Sequence, residues 1–366
     1  MAAETGIVVA WTPAFAGVTE TRREEHMQQQ MIPRHRFIRL IGAILGLAAV
    51  WPGLAAAAEL IPFKMGISAP VASILPVYFA QDGGFYEKQG LQVDIISSEG
   101  GTRGLQVLLS GEIQAMHVGM APVVQANLQG ADLRLVAATT NTLPIAIYAQ
   151  KPSTPPLPHG ATIGISTFGS ETDIAVSIAL KQLGMSRDDV TISQIGGSSQ
   201  RFAALIAGRI DAAPLLEPTI TAAKLRHFVP VVDLAAQNTP WIFDAVVVTR
   251  SYMKEHPDDL MRFLKAYIEG AVRAMADPRF AKETIAKHFK VNDPTVIDAT
   301  YAEFKRLMPL DAAPSAEGAK NVLAQMKAIN LQVGSDKVGD YLELGFIEKL
   351  HQEGFIDEVL KRYGVQ

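Results

Sequence analysis

Side chains that could carry out covalent or metal chemistry are few in this sequence. It contains no cysteine and eight histidines, which excludes cysteine nucleophiles, cysteine-ligated zinc and iron–sulfur clusters. No histidine pair has the HxxxH or HxH spacing of a metal site, and no GxSxG, Walker or GxGxxG motif occurs. His117 lies at a predicted strand end, where a lone histidine more often packs than reacts. The sequence therefore predicts a protein that is not an enzyme and that uses neither a metal nor a cofactor.

The small and hydroxyl residues that could bind a ligand fall in turns of a segment that occurs twice. Residues 100–115 read GGTRGLQVLLSGEIQA and residues 197–212 read GSSQRFAALIAGRIDA, at a constant offset of 97 positions. In each copy, apolar residues at helical spacing are followed by a glycine that suits a helix C-cap. The alternative is a chance likeness between two βαβ units, but the unbroken register favours duplication. Two similar α/β lobes imply a cleft between them.

Strands and helices alternate along the chain after residue 58, which predicts parallel α/β sheets. Residues 151–160 read KPSTPPLPHG, and this run of prolines interrupts regular structure. We expect it to be the exit from the first lobe, and the β-branched run at 245–249 to carry the chain back. The predicted fold is α/β with two lobes and two hinge crossings. Residues 59–150 and 245–366 form the first lobe, with extra C-terminal helices, and residues 151–244 form the second.

In open α/β sheets a ligand binds outside the carboxyl ends of the strands, where helix N-termini present free N–H groups. This rule selects turn residues of both lobes as candidate ligand contacts. In the first lobe they are Ser68, Ala69, Gly101, Thr102, Met120 and Thr139. In the second lobe they are Thr167, Ser170, Ser198, Ser199 and Glu217. Trp241, in a loop near the return crossing, is a further candidate because its aromatic ring would suit a planar ligand.

Two of these candidates have an equally good structural explanation. Glu217 precedes Pro218, so its carboxylate could simply complement the dipole of the next helix. Ser170 begins a capping-box pattern, and capping alone would explain a serine there.

Charge near the expected cleft restricts the ligand. Glu171, Asp173 and Glu217 lie near turns of the second lobe, whereas the first lobe offers only Arg103. Burying a bare anion beside several carboxylates is costly. The sequence therefore favours a ligand with hydrogen-bond donors, such as an aminopyrimidine, over a sulfonate or nitrate. The net charge of −4 gives no indication of a nucleic-acid partner.

The first sixty residues have the order of an export signal. Arginines at positions 34, 36 and 39 precede an apolar run at 40–54 and small residues up to Ala58. The apolar run is about fifteen residues long, shorter than the roughly twenty that span a membrane. We expect cleavage after Ala58, and translation from Met31, with Met27 as the alternative start, because the preceding residues include several glutamates. Without a cysteine the product cannot be a lipoprotein, which predicts a protein exported to a bacterial periplasm.

Several motifs resemble one protein family when they are taken together. They are PVYFAQDGGFYEKQGLQVDI at 76–95, VGMAP at 118–122, LLEP at 215–218, and the LLSGEIQA and LIAGRIDA copies. The chain resembles the solute-binding proteins of ABC importers, in the branch of the nitrate, sulfonate and taurine (SsuA/TauA-type) and NMT1/THI5-like binders.

The resemblance implies a type II-like periplasmic-binding-protein fold, closure of two lobes around a small molecule, and delivery to an ABC permease in the inner membrane. It also implies a monomer. A periplasmic sensor built on the same module is an alternative. So is an enzyme of the THI5 type, but such enzymes need a histidine pair and a cysteine cluster that this sequence lacks.

Overall fold

The computed structural model describes residues 59–153 and 156–365. The expected export signal, its cleavage after Ala58 and the expected start at Met31 lie outside these residues.

The described residues form ten strands. They are β1 (Ile61–Ile67), β2 (Leu91–Ser97), β3 (Ala115–Val118), β4 (Leu133–Thr142), β5 (Ala146–Ala149), β6 (Thr162–Ile165), β7 (Thr191–Gln194), β8 (Ala212–Leu215), β9 (Val229–Asp233) and β10 (Pro240–Thr249). One sheet has the order β2-β1-β3-β10-β4 and the other β7-β6-β8-β5-β9. The first three strands of each order pair in parallel, while β10 and β5 are antiparallel to both neighbours.

The described residues also form fourteen α-helices. They are α1 (Leu75–Asp82), α2 (Phe85–Lys88), α3 (Gly101–Leu109), α4 (Met120–Leu128), α5 (Glu171–Gln182), α6 (Ser198–Ile206), α7 (Thr219–Leu225), α8 (Arg250–Glu255), α9 (Pro257–Ala276), α10 (Pro278–Phe289), α11 (Pro294–Leu307), α12 (Ala316–Ala328), α13 (Gly345–Gln352) and α14 (Phe355–Tyr363). No helix within 59–153 or 156–365 is both long and apolar enough to cross a membrane.

The duplication read from the sequence is confirmed in three dimensions. Helices α3 and α6 and strands β3 and β8 have bounds that differ by the same offset as the repeated segments. Gly111 and Gly208 follow the two helices with φ of 80° and 65°, the left-handed region that glycine enters at little cost. Each donates its backbone N–H to a carbonyl three residues earlier, at 3.1 Å. The two sheets also share one strand order, so both lobes repeat a single topology.

Both predicted lobe boundaries need correction. Strand β5 lies within residues 59–150, the range predicted for the first lobe. It pairs instead with β8 and β9 in the second sheet. Strand β10 enters the first sheet from Pro240, five residues before the predicted return at 245. The chain therefore crosses between Thr142 and Ala146 and again between Asp233 and Pro240. The proline-rich run interrupts regular structure, but it does so inside the second lobe, as the connection between β5 and β6.

The C-terminal helices pack on the first lobe, as the sequence suggested. Helix α9 lies against α1, and the rings of Phe63 and Phe263 stack at 4.6 Å between centroids. Gly270 of α9 allows the closest approach, because a Cβ there would lie 2.6 Å from the backbone nitrogen of Ala80. Both helices contribute to the largest hydrophobic cluster among the described residues.

Replacing Gly270 with alanine tests that contact. We expect Gly270→Ala to lower the free energy of unfolding by about 1–3 kcal/mol, because the added methyl group meets backbone atoms that cannot move away. This cost should outweigh the roughly 1 kcal/mol that alanine gains over glycine in a helix. Urea unfolding measures it. Gly339→Ala is the control, since a Cβ at Gly339 meets nothing within 4 Å, and equal stabilities of the two variants would contradict the prediction.

Candidate ligand-binding site

Turns that follow six parallel strands, three in each sheet, border one pocket between the lobes. From the first lobe it is lined by Ser68 after β1, Gly100 after β2 and Gly119 after β3. From the second lobe it is lined by Ser166 after β6, Gly197 after β7 and Leu216 after β8. The pocket has a cavity volume of about 50 Å³, enough for a few water molecules. The two lobes are thus closed on each other.

Five of the twelve residues selected from the sequence line this pocket. They are Ser68, Ala69, Gly101, Ser170 and Ser198. Each lies shortly after a strand or at the start of a helix.

The other four first-lobe and crossing candidates lie near the pocket but are not part of its wall. Met120 and Trp241 are fully buried in the hydrophobic core. Thr139 is also buried, and its hydroxyl lies 3.1 Å from His117 Nε2. Thr102 is half-buried and donates its hydroxyl to the carbonyl of Phe168 in the second lobe, at 3.1 Å.

Two second-lobe candidates also point elsewhere. Ser199 is exposed at the surface of α6. Thr167 is buried against Gly100, where a Cβ on the glycine would lie 2.7 Å from Thr167 Cγ2. Neither lines the pocket.

Glu217 caps its own helix. Its carboxylate accepts the backbone N–H of Thr221 at 3.1 Å and the Thr221 hydroxyl at 2.8 Å. It lines a different, polar pocket with Lys224, Glu303 and Arg306. Burial raises the pKa of this carboxyl, against the two hydrogen bonds from Thr221. Of the two explanations that the sequence left open, the structure favours capping.

Ser170 caps a helix and lines the pocket at the same time. Its Oγ accepts the N–H of Asp173 at 3.4 Å. It also accepts the Ser166 hydroxyl at 2.8 Å and lies 2.9 Å from Thr172 Oγ1. These three hydroxyl residues form a polar wall on the second-lobe side of the pocket.

The charges around the pocket differ from those inferred from the sequence. Asp173 pairs with Arg187 at 2.6 Å inside the second lobe, and Arg103 is exposed. The cation that lines the pocket is Arg201 of α6, which the sequence analysis did not select. The premise that Arg103 was the available cation is therefore wrong.

Arg201 is 2% exposed. Its Nε donates to the Pro214 carbonyl at 2.9 Å and its Nη1 to the Gly196 carbonyl at 2.5 Å. Within the part of the chain that the structure describes, Nη2 makes no hydrogen bond and no carboxylate lies within salt-bridge distance. Burial lowers the pKa of the guanidinium to about 9, although the charge of Glu99 across the cleft acts in the opposite direction. Arg201 is therefore a buried cation with free donor capacity at the pocket wall.

Asp244 lines the opposite side, anchored within the first lobe. It accepts a hydrogen bond from the Ser73 hydroxyl, and its Oδ1 lies 3.3 Å from His117 Nδ1. On the other side of the imidazole, Nε2 lies 2.9 Å from the hydroxyl of Tyr267. Burial raises the pKa of that tyrosine well above its ordinary value. His117 is a packed histidine, as expected.

Glu171 also lines the pocket, and burial raises the pKa of its carboxyl to about 8. The sequence analysis counted its charge but did not include it among the ligand contacts.

Solved structures with the same architecture include periplasmic binding proteins. A protein of Bordetella bronchiseptica RB50 superimposes with a TM-score of 0.72 at 18% identity, covering 81% of this chain and 98% of that one. The alkanesulfonate-binding protein SsuA of Xanthomonas axonopodis pv. citri, bound to MOPS, gives a TM-score of 0.64 at 19% identity, covering 78% and 99%. The fold is therefore the two-lobed fold of periplasmic binding proteins.

The sequence places the chain in one family of this class. The family model described as NMT1/THI5 like matches residues 71–281, more than half of the chain, so the protein belongs to the NMT1/THI5-like family. A putative binding protein of Brucella abortus is 26% identical over 263 residues, which cover 68% of this chain and 78% of that protein. The resemblance inferred from the sequence motifs is confirmed.

Two serines that the sequence treated alike should now differ in their effect on stability. Ser170→Ala removes a buried helix cap and should lower the free energy of unfolding by about 1 kcal/mol. Ser199→Ala changes an exposed side chain and should stay within about 0.5 kcal/mol. Urea unfolding of both variants measures the difference. A cost at Ser199 as large as that at Ser170 would contradict these positions.

Proposed function

We propose that this protein is a periplasmic solute-binding protein that traps a small polar molecule between its lobes and delivers it to an ABC permease in the inner membrane. The observation that carries the proposal is Arg201, a buried cation that has no carboxylate partner among the described residues and lies in a pocket built by both lobes. The family and the binding-protein names of the relatives support it. The expected monomer and export to the periplasm stay predictions.

Closure of the lobes about the two crossings is the proposed mechanism. A cavity of about 50 Å³ is much smaller than the roughly 300–1,000 Å³ of ligand pockets in general. A ligand of ordinary size therefore enters only when the lobes move apart. The two crossings, between 142 and 146 and between 233 and 240, are the segments about which they rotate.

The polar groups of the pocket indicate the class of ligand. An oxygen-bearing group, such as a sulfonate, a carboxylate or a ring carbonyl, would satisfy the free donors of Arg201 and offset the cost of burying its charge. Asp244 and the hydroxyls of Ser166, Ser170 and Thr172 accept hydrogen bonds from donor groups. The aminopyrimidine and sulfonate classes both stay candidates, with an acceptor group facing Arg201 in either case.

A thermal-shift screen of the full chain tests the function. The panel consists of alkanesulfonates including MOPS, nitrate, aminopyrimidines and amino acids. We expect one class to raise the melting temperature, because a ligand that binds the folded state stabilises it by mass action. If no compound in the panel is bound and one is turned over, the binding-protein proposal fails.

Variants at two arginines then test the role assigned to Arg201. Arg201→Met keeps a long apolar stem but removes the donors, and the affinity for the panel compound that binds should fall at least about tenfold, since a hydrogen bond to a charged group contributes about 1.5–3 kcal/mol. Arg103→Met is the control, because Arg103 is exposed. Isothermal titration calorimetry measures both. Equal affinities of the two variants would remove Arg201 from the site.

A further inference from the structure

Glu171 is a second-lobe residue whose side chain bonds the first lobe. Its Oε1 accepts the backbone N–H of Ala121, in the first turn of α4, at 2.9 Å. Its Oε2 accepts the indole N–H of Trp241, on β10, at 2.8 Å. The residue is 7% exposed. One carboxyl group thus joins the start of α5 to two elements of the opposite lobe.

The first lobe has a space beside Gly119 that this carboxyl group fills. Gly119 precedes α4, and a Cβ there would lie 2.1 Å from Glu171 Oε1 and 2.4 Å from the Phe243 carbonyl. Any larger residue would therefore occupy the place of the carboxyl group. The free N–H groups and positive end of a helix favour an acidic group at this point.

The other hydrogen bonds between the lobes include one from Lys181 Nζ to the Ala328 carbonyl, at 2.9 Å on the exposed surface, and two that join neutral groups. Thr102 donates to the Phe168 carbonyl, and the N–H of Ala72 donates to the Glu217 carbonyl at 3.0 Å. These two bonds cannot respond to protonation, whereas the carboxyl group of Glu171 can. It is also part of the pocket wall, where a ligand would meet it.

We propose that Glu171 is a positioning residue that latches the second lobe onto the first from within the ligand pocket. The inference rests on the proposed function in one respect, because closure is the step that would trap the ligand. The latch itself consists of the Glu171 carboxyl group, the Ala121 N–H and the Trp241 indole, and it forms only when the lobes meet.

Closure through this latch should depend on pH. Burial raises the pKa of Glu171 to about 8, Asp244 raises it further, and the Ala121 and Trp241 hydrogen bonds lower it. In an open molecule the carboxyl group meets solvent, where an ordinary value is about 4.3. At a pH between these two pKa values, closure of the lobes is therefore accompanied by the uptake of a proton by Glu171. The closed state is most favoured below the ordinary pKa and loses this advantage as the pH rises to about 8.

The charged groups around Glu171 are consistent with this direction. Asp244 faces it from β10, and His117 lies behind Asp244 on β3. Arg201 of α6 lines the same pocket. The first turn of α4 contributes Met120, Ala121 and Pro122, none of which titrates. On its own helix, Asp173 is paired with Arg187.

Trp241 provides the readout, and the test needs no ligand. The chain has three tryptophans, at positions 11, 51 and 241. In the full chain carrying Trp11→Phe and Trp51→Phe, fluorescence comes from Trp241 alone. We expect its quenching by acrylamide to increase from pH 5 to pH 9, as the closed-to-open ratio falls by up to about tenfold per pH unit between the two pKa values.

Glu171→Gln in the same background is the decisive variant. The glutamine amide is neutral like the protonated carboxyl group, but it can accept only one of the two hydrogen bonds and does not titrate, so quenching should be independent of pH and higher than that of the parent at pH 5. Gly119→Ala displaces the carboxyl group from the other side and should also raise quenching. Far-UV circular dichroism checks that each variant is folded.

Glu269→Gln is the matched control. Glu269 is also 7% exposed, but it bonds Arg362 and Tyr363 within the first lobe. This variant should keep the pH profile of its parent. A parent profile that is flat with pH, or a Glu171→Gln profile identical to the parent, overturns the latch. Neither result bears on the ligand screen, so failure of the latch and failure of the proposed function can be told apart.

Discussion

The exchange of one strand between the sheets is the constraint on which the rest of the structure depends. Strand β5 follows β4 by three residues yet pairs in the second sheet, and β10 follows β9 yet pairs in the first. Each enters antiparallel between two strands of its new sheet, so its backbone groups are satisfied on both sides. Each crossing therefore connects two strands that are hydrogen-bonded into different sheets. Six strand ends, three from each sheet, then border one pocket.

The two copies of the repeated unit contribute different chemistry to that pocket. The first lobe brings glycines at positions 100 and 119, where a Cβ would meet Thr167 and Glu171 of the second lobe, so their absence of a side chain lets the second lobe approach closely. The second lobe brings hydroxyl side chains and a buried guanidinium. Arg201 occupies the position equivalent to Gly104, where a Cβ would already lie 2.1 Å from the methyl group of Met116. The same position of the repeated unit thus has room for a long side chain in the second lobe and for none in the first.

The local sequence was sufficient to predict which turns border this site, but it did not show where the side chains on those turns point. The offset of 97 positions and the rule of strand ends led to Ser68, Gly101, Ser170 and Ser198, which line the pocket. The same rule also selected Met120, Thr167 and Ser199, which do not, because it places the backbone near the cleft without deciding which way a side chain points. The lobe boundary was predicted from the proline-rich run and was wrong. Strand β5 consists of four apolar residues, and the local sequence does not show which sheet they join, because that depends on tertiary pairing.

Long side chains were a different problem, because each had several possible partners. Glu217 has two donors within its own helix, and Trp241 is fully buried beside Gly318, where a Cβ would lie 3.0 Å from its backbone. Arg201 turns inward because two backbone carbonyls, of Gly196 and Pro214, receive its N–H groups. These carbonyls become available only when β8 and the turn after β7 are in place. Arg201 therefore keeps its charge while buried, Asp244 accepts a hydrogen bond from Ser73, and the pKa of Glu171 favours its neutral form at neutral pH. The closed pocket thus presents one cation and one anion on opposite lobes, and a bound molecule must match both.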